Sequence, residues 1–265
     1  MNVDPLISCL LVTTGGRERF DYLQRSVTDF CRQTYQRKEL VVVFDGAHHH
    51  DQSICKAYLA QLARDDITTI ENERPSSLGQ LRNISRGAAH GEICCQWDDD
   101  DFHHPQRLER QLKALIESGR QAVYLQEVMH YFIKRRDLYC MNWRATPAMG
   151  HPGTLMLKRS ANVSYPESGE QSACGEDLAV AMQLHEKKEV CLLEGAPHLY
   201  VYISHGANTW PDDHHQMLAN SLSISRGQLT RRETQIRDGL RAFDFGRDPV
   251  RVQGNNGPAF TIGGA

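Results

Sequence analysis

Blocks of apolar and polar residues alternate along the first part of the chain, and their period changes from block to block. Leu6–Val12 is a continuous apolar run, the pattern of a parallel strand covered on both faces. Phe20, Leu23, Val27, Phe30 and Cys31 then recur at helical spacing, and Glu39–Phe44 predicts a second strand ended by Asp45-Gly46. Ile54, Tyr58, Leu59 and Leu62 predict another helix, Ile67–Ile70 a short strand, Leu78, Leu81, Ile84 and Ala88 a third helix, and Glu92–Trp97 a further strand. Strand and helix in strict alternation predict an α/β fold, a mostly parallel central sheet flanked by helices. Ligands of such sheets bind beyond the carboxyl ends of the strands. Thr13, Asp45 and Asp98 all occupy such ends and should converge.

The pattern is less regular afterwards. Leu108, Leu112 and Leu115 predict a helix, and Ala122–Ile133 and Asp137–Trp143 a pair of strands. Thr154–Leu157 predicts a short strand, Glu176 the start of a helix, and Val190–Leu193 and Leu199–Ile203 two more strands. Met217, Leu218 and Leu222 are helical again. A last stripe of Leu229, Ile236, Leu240 and Phe243 carries Arg231, Arg232, Arg237 and Arg241 around it. The residues after it, rich in Gly, Pro and Asn, predict a poorly ordered end. We therefore expect one domain over 1–225, with halves 1–105 and 106–225, and a basic helical tail over 226–265.

Composition narrows the partners. A chain of 265 residues with a formal net charge of −3 gives no electrostatic reason to bind nucleic acid. Eight cysteines without any C-x-x-C suit reduced thiols better than a disulfide framework or a zinc site. The run Leu6–Val12 is too short to span a bilayer and lacks the flanks of a signal peptide, so a cytoplasmic location is expected. The basic tail leaves two readings open. It could lie on the anionic inner face of a membrane that carries a lipid-linked acceptor, or dock on the domain or on a second subunit. Glu233, Asp238 and Asp244 dilute its charge and favour docking.

The tetrad Asp98-Asp99-Asp100-Asp101 changes the picture most. It directly follows the apolar strand Ile93–Trp97. Each pair of carboxylates a few Å apart costs about 1–4 kcal/mol unless a cation lies among them. A hard divalent ion would relieve this, and Mg²⁺ typically takes one or two protein carboxylates plus substrate phosphates. A solvated acidic loop is the plain alternative.

Further landmarks stand in order along the chain: Val12-Thr13-Thr14-Gly15-Gly16-Arg17, Val42-Val43-Phe44-Asp45-Gly46, Ser77-Leu78-Gly79-Gln80-Leu81-Arg82-Asn83, the tetrad with Pro105 and Leu108, Gly175-Glu176-Asp177-Leu178, and His205-Gly206-Ala207-Asn208-Thr209. With Gln33-Thr34-Tyr35, the ordered set resembles family 2 glycosyltransferases, inverting nucleotide-sugar enzymes of GT-A fold, over residues 5–210.

The resemblance implies roles. Thr13 and Asp45 match positions that bind the nucleoside, and Arg82 the basic residue near the nucleotide. Asp98 and Asp100 match the ends of the D-x-D motif, facing ribose and a divalent metal (Mn²⁺ or Mg²⁺); Asp99 lies between them on the nucleotide side. Asp177 matches the general base and His205 a late histidine that reaches metal or diphosphate. Gly150–Thr154 lines the sugar and acceptor cleft in relatives, which makes His151, with Glu176, a candidate sugar or acceptor contact. Arg17 and Arg19 compete for the early arginine, and Arg17 is counted among the nucleotide binders. The second-strand motif has one acid fewer than usual, Phe44-Asp45-Gly46-Ala47.

The implied partners are a UDP-sugar donor and a glycan, lipid-linked or other hydroxyl acceptor. The implied setting is the assembly of surface polysaccharide or another glycoconjugate. Two rivals remain: a sugar-nucleotide nucleotidyltransferase, for which Arg17-Glu18-Arg19 supplies no lysine, and a non-catalytic nucleotide-sugar binder. Gly15-Gly16-Arg17 lacks the Gly-Lys-Ser/Thr of a phosphate loop. His48-His49-His50 and His103-His104 read as loop residues, with metal ligation the alternative.

Overall fold

A computed structural model describes residues 4–263, the side chains of residues 48–50 excepted. The run of histidines at 48–50 thus lies outside the described side chains. The first half alternates as the hydrophobic pattern predicts: β1 (Ile7–Thr13), α1 (Phe20–Cys31), β2 (Lys38–Phe44), α2 (Ser53–Leu62), β3 (Ile67–Glu71), α3 (Leu78–Ala88) and β4 (Ile93–Gln96). There follow β5 (Phe102–His103), α4 (Arg107–Ser118), β6 (Ala122–Leu125), β7 (Glu127–Phe132), β8 (Asp137–Asn142), β9 (Met156–Lys158), α5 (Glu176–Glu186), β10 (Val190–Leu193), β11 (Tyr200–Ser204) and α6 (Asp212–Leu222). The chain finishes with α7 (Arg226–Arg231), α8 (Glu233–Leu240), β12 (Val250–Gly254) and β13 (Gly257–Ile262).

The first sheet has the order β10-β6-β9-β4-β1-β2-β3 and is parallel except at β9, which runs antiparallel to both neighbours. Both faces are covered, which is why its strands carry unbroken apolar runs. On one face Leu11, Val42 and Phe44 pack with Leu23, Val27 and Phe30 of α1 and with Leu108, Leu112 and Leu115 of α4. On the other, Leu10, Val41 and Val43 meet Leu81 of α3 and Val180, Ala181 and Leu184 of α5. The register sets Thr13 opposite Phe44 and Leu10 opposite Gln96, so Thr13, Asp45 and the acidic tetrad emerge from one edge of the sheet.

Helix α3 starts at Ser77, whose side chain accepts from Gln80 while Gln80 returns a bond to the Ser77 backbone. Gly79 sits so close to the Pro166 carbonyl that an added Cβ would lie 1.9 Å from that oxygen. Only glycine permits this approach, and it points Arg82, one turn on, at the end of β4.

The second sheet has the order β13-β12-β8-β7-β11-β5, and two features of it depart from expectation. The apolar stretch 122–133 is two strands, not one. It breaks at Gln126: β6 pairs parallel with β10 in the first sheet, and β7 pairs with β8 and β11 in the second. The tail also differs from the poorly ordered end predicted. Residues 250–262 form a hairpin turning at Asn255-Asn256, with β12 parallel to β8. Val250, Val252 and Ile262 share one core with Leu229, Ile236 and Leu240 and with Phe102, Met129 and Leu138. Gly, Pro and Asn here make a hairpin turn and an edge strand. Among the described residues no helix is long and apolar enough to cross a membrane.

All eight cysteines are free; Cys9, Cys55, Cys94, Cys95 and Cys140 are buried and Cys31 is exposed.

Candidate active site

The carboxyl edge of the first sheet opens into a cavity of about 580 Å³. Thr13, Asp45, Arg82, the whole tetrad Asp98–Asp101, His151, Glu176 and Asp177 all line it. Sequence positions far apart are thus gathered into one space.

Four carboxylates in a row are tolerable because each finds its own partner. Asp98 accepts from Arg82 at 3.2 and 3.3 Å on one oxygen and from Gln96 Nε2 at 3.2 Å on the other. Asp99 is buried; it accepts from Thr13 Oγ1 at 2.5 Å and pairs with Arg19 at 3.6 Å. Asp100 Oδ2 meets Arg19 Nη1 at 2.8 Å and His205 Nε2 at 3.0 Å, and the Tyr22 ring stacks on His205 with centroids 5.0 Å apart. Asp101 turns away into the core, accepting from the Tyr200 hydroxyl and, at 2.8 Å, from the Ile203 amide.

These environments separate the titrations. Burial, with Asp100 and Asp98 nearby, pushes Asp99 up to about 7 against the pull of Arg19 and Thr13. Burial and the same neighbouring charges also raise Asp101. Asp100 goes the other way. Burial would raise it, but the His205 hydrogen bond and the Arg19 charge prevail and hold it well below the usual carboxylate range.

Opposite the tetrad lies the N-terminus of α5. Glu176 is buried and accepts from Arg82 Nε at 2.9 Å, so one guanidinium ties Asp98 on β4's end to Glu176 on α5. Asp177, the next residue, is only partly covered and faces the cavity. Burial first, then the Glu176 charge, raises it to about 6, with Arg82 and the Leu178 amide pulling it back. A carboxylate poised there is ionised at neutral pH yet more basic than an exposed one.

Several expectations meet their geometry differently. Of the two competing arginines, Arg19 lines the cavity and pairs with the tetrad, whereas Arg17 is exposed and does not line it. The 3₁₀ turn at Arg17–Arg19 swings alternate side chains apart, so only the later one reaches the acids. His205 reaches Asp100 from behind and is not itself a cavity wall. His103 and His104 are buried in and beside β5, away from the cavity; His103 stacks on Trp97 with centroids 3.8 Å apart. Asp45 lines the cavity while its carboxylate caps the turn that follows, accepting from Ala47. His151 is buried in the wall between Trp143 and Tyr200.

Other lining residues escaped the sequence reading: His130, Trp143, Tyr200, Tyr202 and His215. Tyr200 and Tyr202 belong to an apolar run that reads only as a buried strand. His130 and His215 stand singly, with no motif to mark them.

A divalent cation can be tested against this donor set. Among the described residues no three His, Cys, Asp or Glu side chains already form a metal-holding group. Asp100 and His205, 3.0 Å apart, bring one carboxylate and one imidazole together beside three further acids. That suits an ion which draws its remaining ligands from phosphate and water.

The sequence model of the family described as glycosyl transferase family 2 matches residues 10–164. An uncharacterized glycosyltransferase of Methanocaldococcus jannaschii is 32% identical over 112 residues, which is 42% of this chain and 37% of that protein. The curated relatives that it matches are spanned over 33–59% of their length. Among solved structures, S. aureus TarS in complex with UDP superposes with a TM-score of 0.58 at 13% identity, covering 90% of this chain and 72% of that one. The mannosyltransferase PcManGT from Pyrobaculum calidifontis, in complex with GDP-Man and Mn²⁺, gives 0.57 at 14% identity, covering 83% and 64%. At such identities the likeness shows the fold, an α/β architecture of GT-A type.

Proposed function

The chain belongs to glycosyl transferase family 2, and from that premise we propose that it moves a sugar from a nucleoside-diphosphate donor, a UDP-sugar, to an acceptor hydroxyl with inversion. One observation carries the reading: the tetrad and Asp177 line the same cavity from different walls, bridged by Arg82. TarS in complex with UDP supports the choice of nucleotide. The GDP-Man of PcManGT keeps a guanine donor as the alternative to be tested.

In this reading Thr13 and Asp45, level at the ends of β1 and β2, hold the nucleoside, and Asp98 and Asp99 lie on the ribose side. The acceptor hydroxyl approaches the anomeric carbon from the Asp177 side. Its proton passes to the Asp177 carboxylate as the new C–O bond forms and the bond to the diphosphate oxygen breaks, which inverts the anomeric centre. Arg82 orients Asp98 and Glu176 together and so fixes the distance across the cleft. Asp100 and His205 are the residues that would hold Mn²⁺ or Mg²⁺. Such an ion would neutralise the charge that develops on the departing diphosphate. Arg19, already on Asp99 and Asp100, adds a fixed positive charge on the same side.

Thermal shift with UDP, GDP, ADP and their sugar conjugates, with and without Mn²⁺, tests the reading. Ligand at a hundredfold excess over Kd stabilises by about 2.7 kcal/mol. A rise in Tm of several degrees with UDP, weakened by chelator, is the expected result. Indifference to every nucleotide would overturn it.

A further inference from the structure

Beyond the acidic tetrad the cavity extends into a second lobe floored by β7 and β11. His130, His151 and Tyr202 form its wall, with His130 4.7 Å and His151 5.5 Å from the Tyr202 ring, centroid to centroid. His215 closes it at 5.2 Å from Tyr202 and 5.3 Å from His130, and Trp143 stands edge-on to His151 at 4.6 Å. The lobe abuts the reaction centre. A Cβ added to Gly153 would lie 3.1 Å from the His151 ring and 3.3 Å from an Asp98 carboxylate oxygen.

This lobe holds polar atoms with nothing to bind. His130, 1% exposed, has both ring nitrogens buried and unpartnered, and His151 Nδ1 and Trp143 Nε1 are in the same state. Buried donors and acceptors normally find partners, so a cluster of orphans on side chains that line a cavity points to the place of a ligand. The charges define which ligand. Among the described residues Arg19 and Arg82 are the only arginines or lysines that line the cavity, and both are already paired with acids. Arg107 lies behind the wall over the Tyr200 ring and Arg135 over the Phe132 ring, outside the lining. Acids, in contrast, stand along the approach: Asp98 and Asp177.

We infer that this lobe is the acceptor subsite and that it takes an uncharged sugar ring, stacked on the Tyr202 and Trp143 faces and hydrogen-bonded through its hydroxyls by His130 and His151; phosphorylated and uronic-acid units are turned away. The inference rests on the glycosyltransferase reading and names the chemical class of its acceptor. A neutral imidazole offers one donor and one acceptor, the same pair a sugar hydroxyl offers in return. Burial supports the neutral form, holding His130 well below its ordinary value and His151 at about 3. An anion entering would be desolvated with no unpaired arginine or lysine in the lining to meet it and two carboxylates nearby.

Saturation-transfer NMR on the full chain, once with UDP and Mg²⁺ and once without them, tests this. The probes are the methyl glycosides of glucose, galactose, mannose and N-acetylglucosamine, set against glucuronic acid and glucose 6-phosphate. Saturation of at least one neutral glycoside and of neither anion is expected. Replacing both His130 and His151 by Phe should weaken the glycoside about tenfold or more, the effect of losing a hydrogen bond or two. The UDP thermal shift reports that this variant is folded. A second variant, His215→Lys, should shift preference towards glucose 6-phosphate. Equal or better binding of the anions, an unchanged glycoside affinity in both variants, or no glycoside binding at all would overturn the inference. Failure of UDP alone to bind would instead count against the nucleotide reading, since the glycosides are also tested without it.

Discussion

At the edge of the first sheet every carboxylate of the tetrad has a partner, whereas beside the second sheet both ring nitrogens of His130, His151 Nδ1 and Trp143 Nε1 are buried without one. Both regions open on the same cavity. The first is rigidified before any ligand arrives: Arg82 clamps Asp98 to Glu176, and Arg19 clamps Asp99 to Asp100. The second leaves its hydrogen-bonding capacity open. A site that must grip a common donor gains from fixed geometry. A site that must discriminate among hydroxylated acceptors gains from polar groups satisfied only by the right one.

The comparison breaks most visibly at Asp177, the group between the two regions. Asp177→Asn removes the proposed base and leaves the tetrad untouched. Transfer should fall about 10²–10⁴-fold while the UDP thermal shift persists. A variant with full transfer would move the base elsewhere. A wild-type protein that binds UDP without any transfer would favour the binder or the nucleotidyltransferase.

Arg82→Ala attacks the preorganised side. It strands Glu176 and Asp98 in the cleft, with the Glu176 side chain only 4% exposed. Breaking one partner of such a buried pair costs about 3–5 kcal/mol. Calorimetry should show Tm falling by roughly ten degrees. A fall of only a degree or two would mean that water, not Arg82, satisfies Glu176.

A smaller effect follows from pH. As the proposed base, Asp177 would act only when ionised, and burial beside Glu176 raises it to about 6. Its rate contribution is therefore complete above neutrality and drops about tenfold for each pH unit below 6. The stability sign is opposite. A carboxyl raised on folding binds its proton more tightly in the native state, so this group favours folding more as pH falls from about 7 towards 4. Loss of transfer between pH 6 and 5 with unchanged or higher Tm would separate titration of the base from unfolding. Rates flat across that window would remove Asp177 from the mechanism.

The same contrast explains what the sequence could disclose. Strands β1, β2 and β4 are covered on both faces and so carry unbroken apolar runs that end in Thr13, Asp45 and Asp98. Position in the fold and position in the motif coincide there. In the second sheet they part. The run 122–133 is interrupted only by Gln126-Glu127 where the chain changes sheet; both strands are buried on either side, so no period shift marks the break. The hairpin at 250–262 did leave a trace. Val250 and Val252 flank Arg251, and Asn255-Asn256-Gly257 is a turn signal, but Gly and Pro content outweighed both. His130 and His215 could not be read at all, since a lone histidine becomes functional only through neighbours that folding supplies.

The smallest expected effect concerns the tail, where sequence left membrane contact and docking open. Arg232 binds Glu127 through two bonds of 2.8 and 2.9 Å, Arg237 pairs with Glu233 and stacks over Phe260, and Arg241 pairs with Asp238. Three of the four arginines around the apolar stripe thus spend their charge within the protein, and the helices beside them bury Leu229, Ile236 and Leu240 in the second sheet's core. Docking accounts for the stripe that looked amphipathic. Arg241 and Asp238 are mostly exposed, and such a pair contributes about 0–1 kcal/mol. Arg241→Gln should leave Tm within a degree or two and leave co-sedimentation with anionic vesicles unchanged. Vesicle binding by the wild type that weakens in this variant would return the tail to the membrane, and the lobe beside β11 would then have to admit a lipid-linked sugar from that side.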